Sequence, residues 1–228
     1  MHNNKLQLNP DKTELILITP VSLLLCQPDG FSIHLSKIVR DLSVTRDKNL
    51  SFQQHVSRTC QICYLESRRT NSIRHYLSQD ALKTLISACV LSKIDYCHSL
   101  LAGCPKQLIH KLQKVQNNAA GLICRTPKSD HISPVLHTLH WLPVEQRAEN
   151  KLLLLAFKIV NNEGPSCLLD LLKFLVPSRH FRSSSNSPLL RIPLFRRKSF
   201  GQRKISSQAS VLWNSLRHFS STSAFNLL

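Results

Sequence analysis

Acidic residues set the first limit on the chemistry of this chain. Phosphoryl transfer with two metal ions needs carboxylates that hold those ions about 3.5–4 Å apart. The chain carries 13 Asp and Glu in 228 residues. Asp41, Asp47, Asp80, Asp95 and Asp130 are scattered, and none forms a close pair across a strand–turn–strand. Cys60-x-x-Cys63 is the one close cysteine pair among the 8 cysteines. A zinc site needs a second pair at ligand spacing, which His75 and Cys89 do not supply. Both cysteines fall in a helical pattern, where positions three apart share a face and pack together. Cys97-His98 with Cys104 reads the same way. His131, His137 and His140 gather near Cys124 and Asp130, the elements of a Cys–His hydrolase on paper. There are 5 glycines and no Gly-rich phosphate loop. No metal, cofactor, catalytic residue or small-molecule substrate is expected.

Basic residues offer more. The formal net charge is +17, with a pI near 10.0. Such a charge attracts polyanions, so RNA or DNA, bound without sequence preference, is the expected partner. An anionic membrane surface, or no partner, would fit the charge alone. No acid occurs after Asp170. That tail holds Arg191, Arg196, Arg197, Lys198, Arg203 and Lys204, interleaved with Phe195, Phe200 and Trp213 as stacking faces. The alternative is a solvated tail with its aromatics in a core, and Trp213 in particular reads as core. A second cluster is Arg68, Arg69, Arg74 and His75.

These residues must be placed by elements of two kinds. Strands are expected over Thr13–Ile18, Phe31–Leu35 and Ile38–Thr45, forming a small antiparallel sheet, with a turn at Gln27-Pro28-Asp29-Gly30. From Ser51 the apolar period becomes helical. Ser51 caps a helix to about Tyr76. Ser78 caps the next, whose Leu82, Leu85, Ile86, Cys89, Ile94, Cys97 and Leu101 run to Gly103. Pro105 opens a third helix with the stripe Leu108, Leu112, Val115, Ala119 and Leu122. Shorter helices are expected over Ser133–His140 and Pro165–Phe174, and a longer one over Pro143–Asn162. A hairpin pattern covers Leu189–Phe200 after the Ser-rich loop Ser183–Ser187. A last helix from Ser206 to Phe219 turns Val211, Leu212 and Leu216 inward.

Asn9-Pro10-Asp11-Lys12-Thr13-Glu14, followed by Leu15–Ile18, resembles the late palm segment of reverse transcriptases of non-long-terminal-repeat retrotransposons, the LINE type. Ile38–Val44 resembles the primer-grip strand, where the family usually has Gly in place of Ser43. Leu50–Val56 resembles the start of the thumb. Leu91-Ser92-Lys93-Ile94-Asp95-Tyr96-Cys97, Leu100–Pro105, Leu112–Ala120, His131–Leu136, His140-Trp141-Leu142-Pro143-Val144 and Leu212-Trp213-Asn214-Ser215-Leu216 continue the match over nearly the whole chain. Phe200–Ser207 departs from it, lacking an acid near Gln202.

The resemblance implies a late palm remnant and a helical thumb. The family's metal-binding Asp-Asp pair lies upstream of Asn9, and the residues before Asn9 hold no acid. The chain thus resembles the back end of a polymerase, without its catalytic aspartates and with no enzymatic activity expected. The resemblance makes Lys12 a late-palm lysine. It makes Arg68, Arg69 and Arg74 contacts to template and primer, and His131 and His140 caps or packing residues. A domesticated helical interaction module, and a decayed-element product without function, are the alternatives.

The expected fold class is α+β, mostly α. Its segments are 1–50 (palm remnant), 51–126 (thumb bundle), 127–176 (helical extension) and 177–228 (basic segment with a terminal helix). Met1–Asp11 is polar, the next apolar run is broken by Pro20, and Leu152–Leu155 lies in a segment interrupted by Lys151 and Lys158. No leader or membrane span is therefore expected. Free thiols and an intracellular location, cytoplasm or nucleus, follow from the cysteines.

Overall fold

The computed structural model describes residues 9, 13–16, 18, 34–127, 130–175, 189–195 and 204–220. The fold is mostly helical with a small strand content, as the sequence implies. Two compact units divide after Thr59. The division falls inside the first helix. The second unit begins at Cys60.

The first unit holds the strands. β1 (Glu14–Leu15) pairs with β2 (His34–Leu35) in parallel. β3 (Ile38–Asp41) and β4 (Val44–Asp47) pair antiparallel, with Asp41 opposite Val44. The expected single strand Ile38–Thr45 is therefore a hairpin, and the one antiparallel sheet is two separate pairs. Leu42 and Ser43 make the turn, with φ of 45° and 65°. Positive φ at both central residues marks a type I′ turn, whose twist matches the flanking strands. Asp47 ends β4 and organises the entry to α1 (Gln53–Ile73). Its carboxylate accepts from the Ser51 N–H at 2.7 Å and the Ser51 hydroxyl at 2.9 Å. Ser51 Oγ in turn accepts from the Gln53 N–H at 3.3 Å, but the cap position expected for Ser51 is taken by Phe52, whose carbonyl accepts the first helical bond from the Val56 N–H.

In the second unit α1 continues to Ile73 and tightens into a 3₁₀ turn at Arg74–Tyr76. Ser78 caps α2 (Gln79–Ile86) by accepting from the Ala81 N–H. The expected long helix does not run to Leu101. It widens into a π turn at Ser87–Leu91, continues as α3 (Ser92–Asp95) and breaks at Tyr96. Cys97 adopts φ 54° and starts a 3₁₀ turn at His98–Leu101. The apolar period continues through this break because the turn keeps burying the same side, with Ile94 and Leu101 both buried.

α4 (Lys106–Cys124) is the central helix. It buries Leu108, Leu112, Val115, Gln116, Ala119, Ala120 and Ile123. Ile123 replaces the expected Leu122, because the buried stripe drifts by one position along the helix. α5 (Ile132–Thr138) and α6 (Val144–Val160) pack on α4. After α7 (Ser166–Leu169), the chain makes a bridge between Phe174 and Leu190, not the continuation of helix expected there. The partner of Leu190 is thus the 170s segment; the rest of the expected hairpin, 196–200, lies outside the described residues. α8 (Ile205–Ser220) packs on α6. It faces inward with Ser207, Ala209 and Ser210, while Val211 and Leu216 are exposed. Small residues let the two helices approach closely. Leu212 and Trp213 still pack against the cores around Leu152 and Ile159. Each fully buried Leu or Ile in these cores contributes about 1.5–3 kcal/mol.

Candidate functional site

The basic residues singled out by sequence fall on two parts of the second unit. Arg68 and Arg69 project from α1 and are exposed. Arg69 is paired with Glu66 at 3.2 Å, an exposed pair of small energetic worth. Arg74 sits in the 3₁₀ turn, half-buried, and donates to Asn71 Oδ1 at 3.3 Å. Arg191 is exposed beside the Phe174–Leu190 bridge, its backbone N–H bonded to the Lys173 carbonyl at 2.8 Å. Lys204 is exposed just before α8. Arg196, Arg197, Lys198, Arg203 and Lys12 lie outside the described residues.

Around Leu190 the fold is built on one side chain. Asn214 Oδ1 accepts from the Leu190 N–H at 3.0 Å, and Asn214 Nδ2 donates to the Leu190 carbonyl at 2.9 Å. A side-chain amide thus stands in for a neighbouring strand. It satisfies both polar groups of a residue that is 2% exposed. This ties Arg191 and its neighbours to α8.

Sequence reasoning missed the polar cluster on the other end of α6. Arg147 donates to both oxygens of Asp95, Nε to Oδ1 at 2.9 Å and Nη2 to Oδ2. His98 Nδ1 stands 3.7 Å from Asp95 Oδ1, too long for a hydrogen bond. The His98 ring is 3% exposed, and neither nitrogen has a hydrogen-bond partner. A buried polar group left unbonded costs about 1–3 kcal/mol. Burial alone would push the Asp95 carboxyl up; the interactions with His98 and Arg147 outweigh it and hold the group below its ordinary value. The backbone is held in the left-handed region at Cys97 and at His140, with φ of 54° and 55°, both next to this cluster. His131 occupies the N-cap position of α5, as expected, but makes no side-chain cap bond, and both it and His140 are exposed.

Two glutamines of α4 connect to the same corner. Gln116 Nε2 donates to the Leu142 carbonyl at 2.8 Å, and Gln113 Oε1 accepts from the Val144 N–H at 2.8 Å. Gln113 Nε2 also bonds Gln116 Oε1 at 3.0 Å and Asn117 Oδ1 at 2.7 Å. The signal was present in the sequence: Gln116 occupies a phase of α4 otherwise filled by apolar residues.

Cys60 and Cys63 lie buried on one face of α1. The Cys63 thiol faces the Val90 carbonyl at 3.8 Å, and burial pushes it up to about 11. Such a thiol is a packing group rather than a nucleophile at neutral pH. Among the described residues no three His, Cys, Asp or Glu could hold a metal ion together. Among the same residues no helix is long and apolar enough to cross a membrane. No family model, curated protein or solved structure matches the chain.

Proposed function

We propose that this chain is a thumb-like portion of a LINE-type reverse transcriptase that binds RNA or DNA without sequence preference and has no polymerase chemistry of its own. One observation carries the reading. Two segments that resemble the family, Leu112–Ala120 and His140–Val144, are held together by long-range polar bonds. Asp95 bonds Arg147, just beyond the His140–Val144 segment. Gln116, from Leu112–Ala120, bonds Leu142, and Asn214, from Leu212–Leu216, bonds Leu190. Residues that make those segments distinctive thus have structural work that explains their type. The +17 charge supplies the attraction to a polyanion. The test is direct. Purified protein with Mg²⁺, a primed RNA template and deoxynucleotides is expected to bind the template but leave the primer unextended; template-dependent extension would refute the proposal.

A second reading, a helical protein-interaction module, is favoured by an apolar surface. Leu171, Phe174, Leu175, Leu189, Ile192 and Leu194 are all exposed, Leu194 at 99%. Exposed apolar groups in such density mark interaction surfaces. Loss of nucleic-acid binding with retention of a protein partner would favour it.

A further inference from the structure

A cavity of about 290 Å³ opens between the turn after α3 and the side of α6. It is lined by Asp95, His98, His140, Arg147, Asn150 and Lys151, with Leu142 and Leu154 as the apolar members of the lining. The volume is near the lower end of small-molecule sites, about 300–1,000 Å³.

Three features of the cavity point to a ligand. His98 is 3% exposed there with both ring nitrogens unbonded. Arg147 spends Nε and Nη2 on Asp95. A guanidinium carries five N–H donors in a rigid fork, so the Nη1 pair remains to meet an anion, and Asp95 holds the fork in place. Leu142 and Leu154 in the lining are 44% and 51% exposed, a large apolar area left in water beside cationic groups. Asp95 is the one acid of the lining and is already committed to Arg147, which leaves the Lys151 charge uncompensated. Cationic and apolar side chains lining one cavity suit a phosphate carried on a flat ring system.

We propose that this cavity binds a nucleotide, with Arg147 and Lys151 on the phosphate, His98 donating to it, and Leu142 and Leu154 against the base. A free nucleotide and a nucleotide within a strand present the same chemistry, and the proposal does not rest on the family reading.

Calorimetric titration of the full chain with adenosine 5′-monophosphate, adenosine and inorganic phosphate tests it. The monophosphate is expected to saturate one site per chain, with adenosine and phosphate at least tenfold weaker. Lys151→Glu, at an exposed position, is expected to weaken the monophosphate at least tenfold without moving the thermal melt. Leu154→Ala should weaken it several-fold. A single-stranded oligonucleotide that displaces the monophosphate identifies the strand as the source, and failure to displace it identifies the free nucleotide. Absence of saturable binding at millimolar monophosphate, or equal affinity in Lys151→Glu, overturns the proposal.

Discussion

Gln116 reaches 26 residues along the chain to hold Leu142, donating its side-chain amide to that carbonyl at 2.8 Å from a wholly buried position. With Gln113 bonded to the Val144 N–H, α4 carries the polar partners of the segment that starts α6. Satisfied in this way, buried amides specify one packing of the helices; broken, they leave orphaned groups in a region that excludes water.

Gln116→Leu keeps the volume but removes the partner of the Leu142 carbonyl. Stability is expected to fall by about 2 kcal/mol. Gln113→Ala should cost a similar amount, and the double variant less than the sum, because the two residues share one network. Urea unfolding of the three variants measures this. Strict additivity would mean that the two glutamines act separately.

Ser43 sits at φ 65° in the β3–β4 turn, a conformation that favours Gly. A residue with a Cβ is strained in this region by about 1–2 kcal/mol. Ser43→Gly is expected to recover part of that, roughly 0.5–1 kcal/mol after the added freedom of the unfolded chain is subtracted. Ser43→Val should destabilise. Thermal melts would report both, and a destabilised Gly variant would contradict the turn geometry.

Local features were legible in the sequence and distant pairings were not. Ser78 acts as a cap, and Ser51 bonds the first helical N–H of α1 from one residue before the cap, because such contacts depend on residues two or three positions away. The α4 stripe was readable apart from its last member. The break at Tyr96–Cys97 was hidden, since the turn keeps the buried side facing the same way and leaves the apolar spacing intact. On α8 the inward face belongs to Ser207, Ala209 and Ser210, which hydrophobicity alone does not pick. Asp95 and Arg147 lie 52 residues apart. No period links such a pair, so their ion pair, and the cavity beside it, emerged from the fold alone.

The Asp95 carboxyl lies below its ordinary value of 3.8 in the folded chain. A depressed carboxylate adds stability that is present above the unfolded value and is lost as pH falls through the folded one. Asp95 is 41% exposed, so solvent screens the gain and the effect is modest. Stability should therefore decline below about pH 3.8, and Asp95→Asn should flatten that part of the profile. Denaturant midpoints between pH 2.5 and 6 would show it, and parallel profiles would argue against the ion pair.

Cysteine reactivity should be ordered by burial. Cys167 is exposed, whereas Cys63 is buried with its thiol pushed up to about 11. Among the described cysteines, iodoacetamide at pH 7.5 is expected to label Cys167 first and Cys63 only on unfolding. Mass spectrometry of peptides from a timed reaction reads the order. Early labelling of Cys63 in folded protein would contradict the packing described for α1.

The most direct measurement is the salt dependence of single-stranded nucleic-acid binding. Each phosphate contact releases a counterion, which gives a log–log slope of roughly −0.7 per contact on single strands. Fluorescence anisotropy with a labelled oligonucleotide should give a steep slope. Replacing Arg196, Arg197 and Lys198 by Ala should flatten it by about two units at most. Replacing Arg68 and Arg69 should flatten it by less, and neither change should alter sequence preference. Unchanged affinity and slope in both variants would contradict the account, leaving these residues as solvated charge and the interaction module as the better reading.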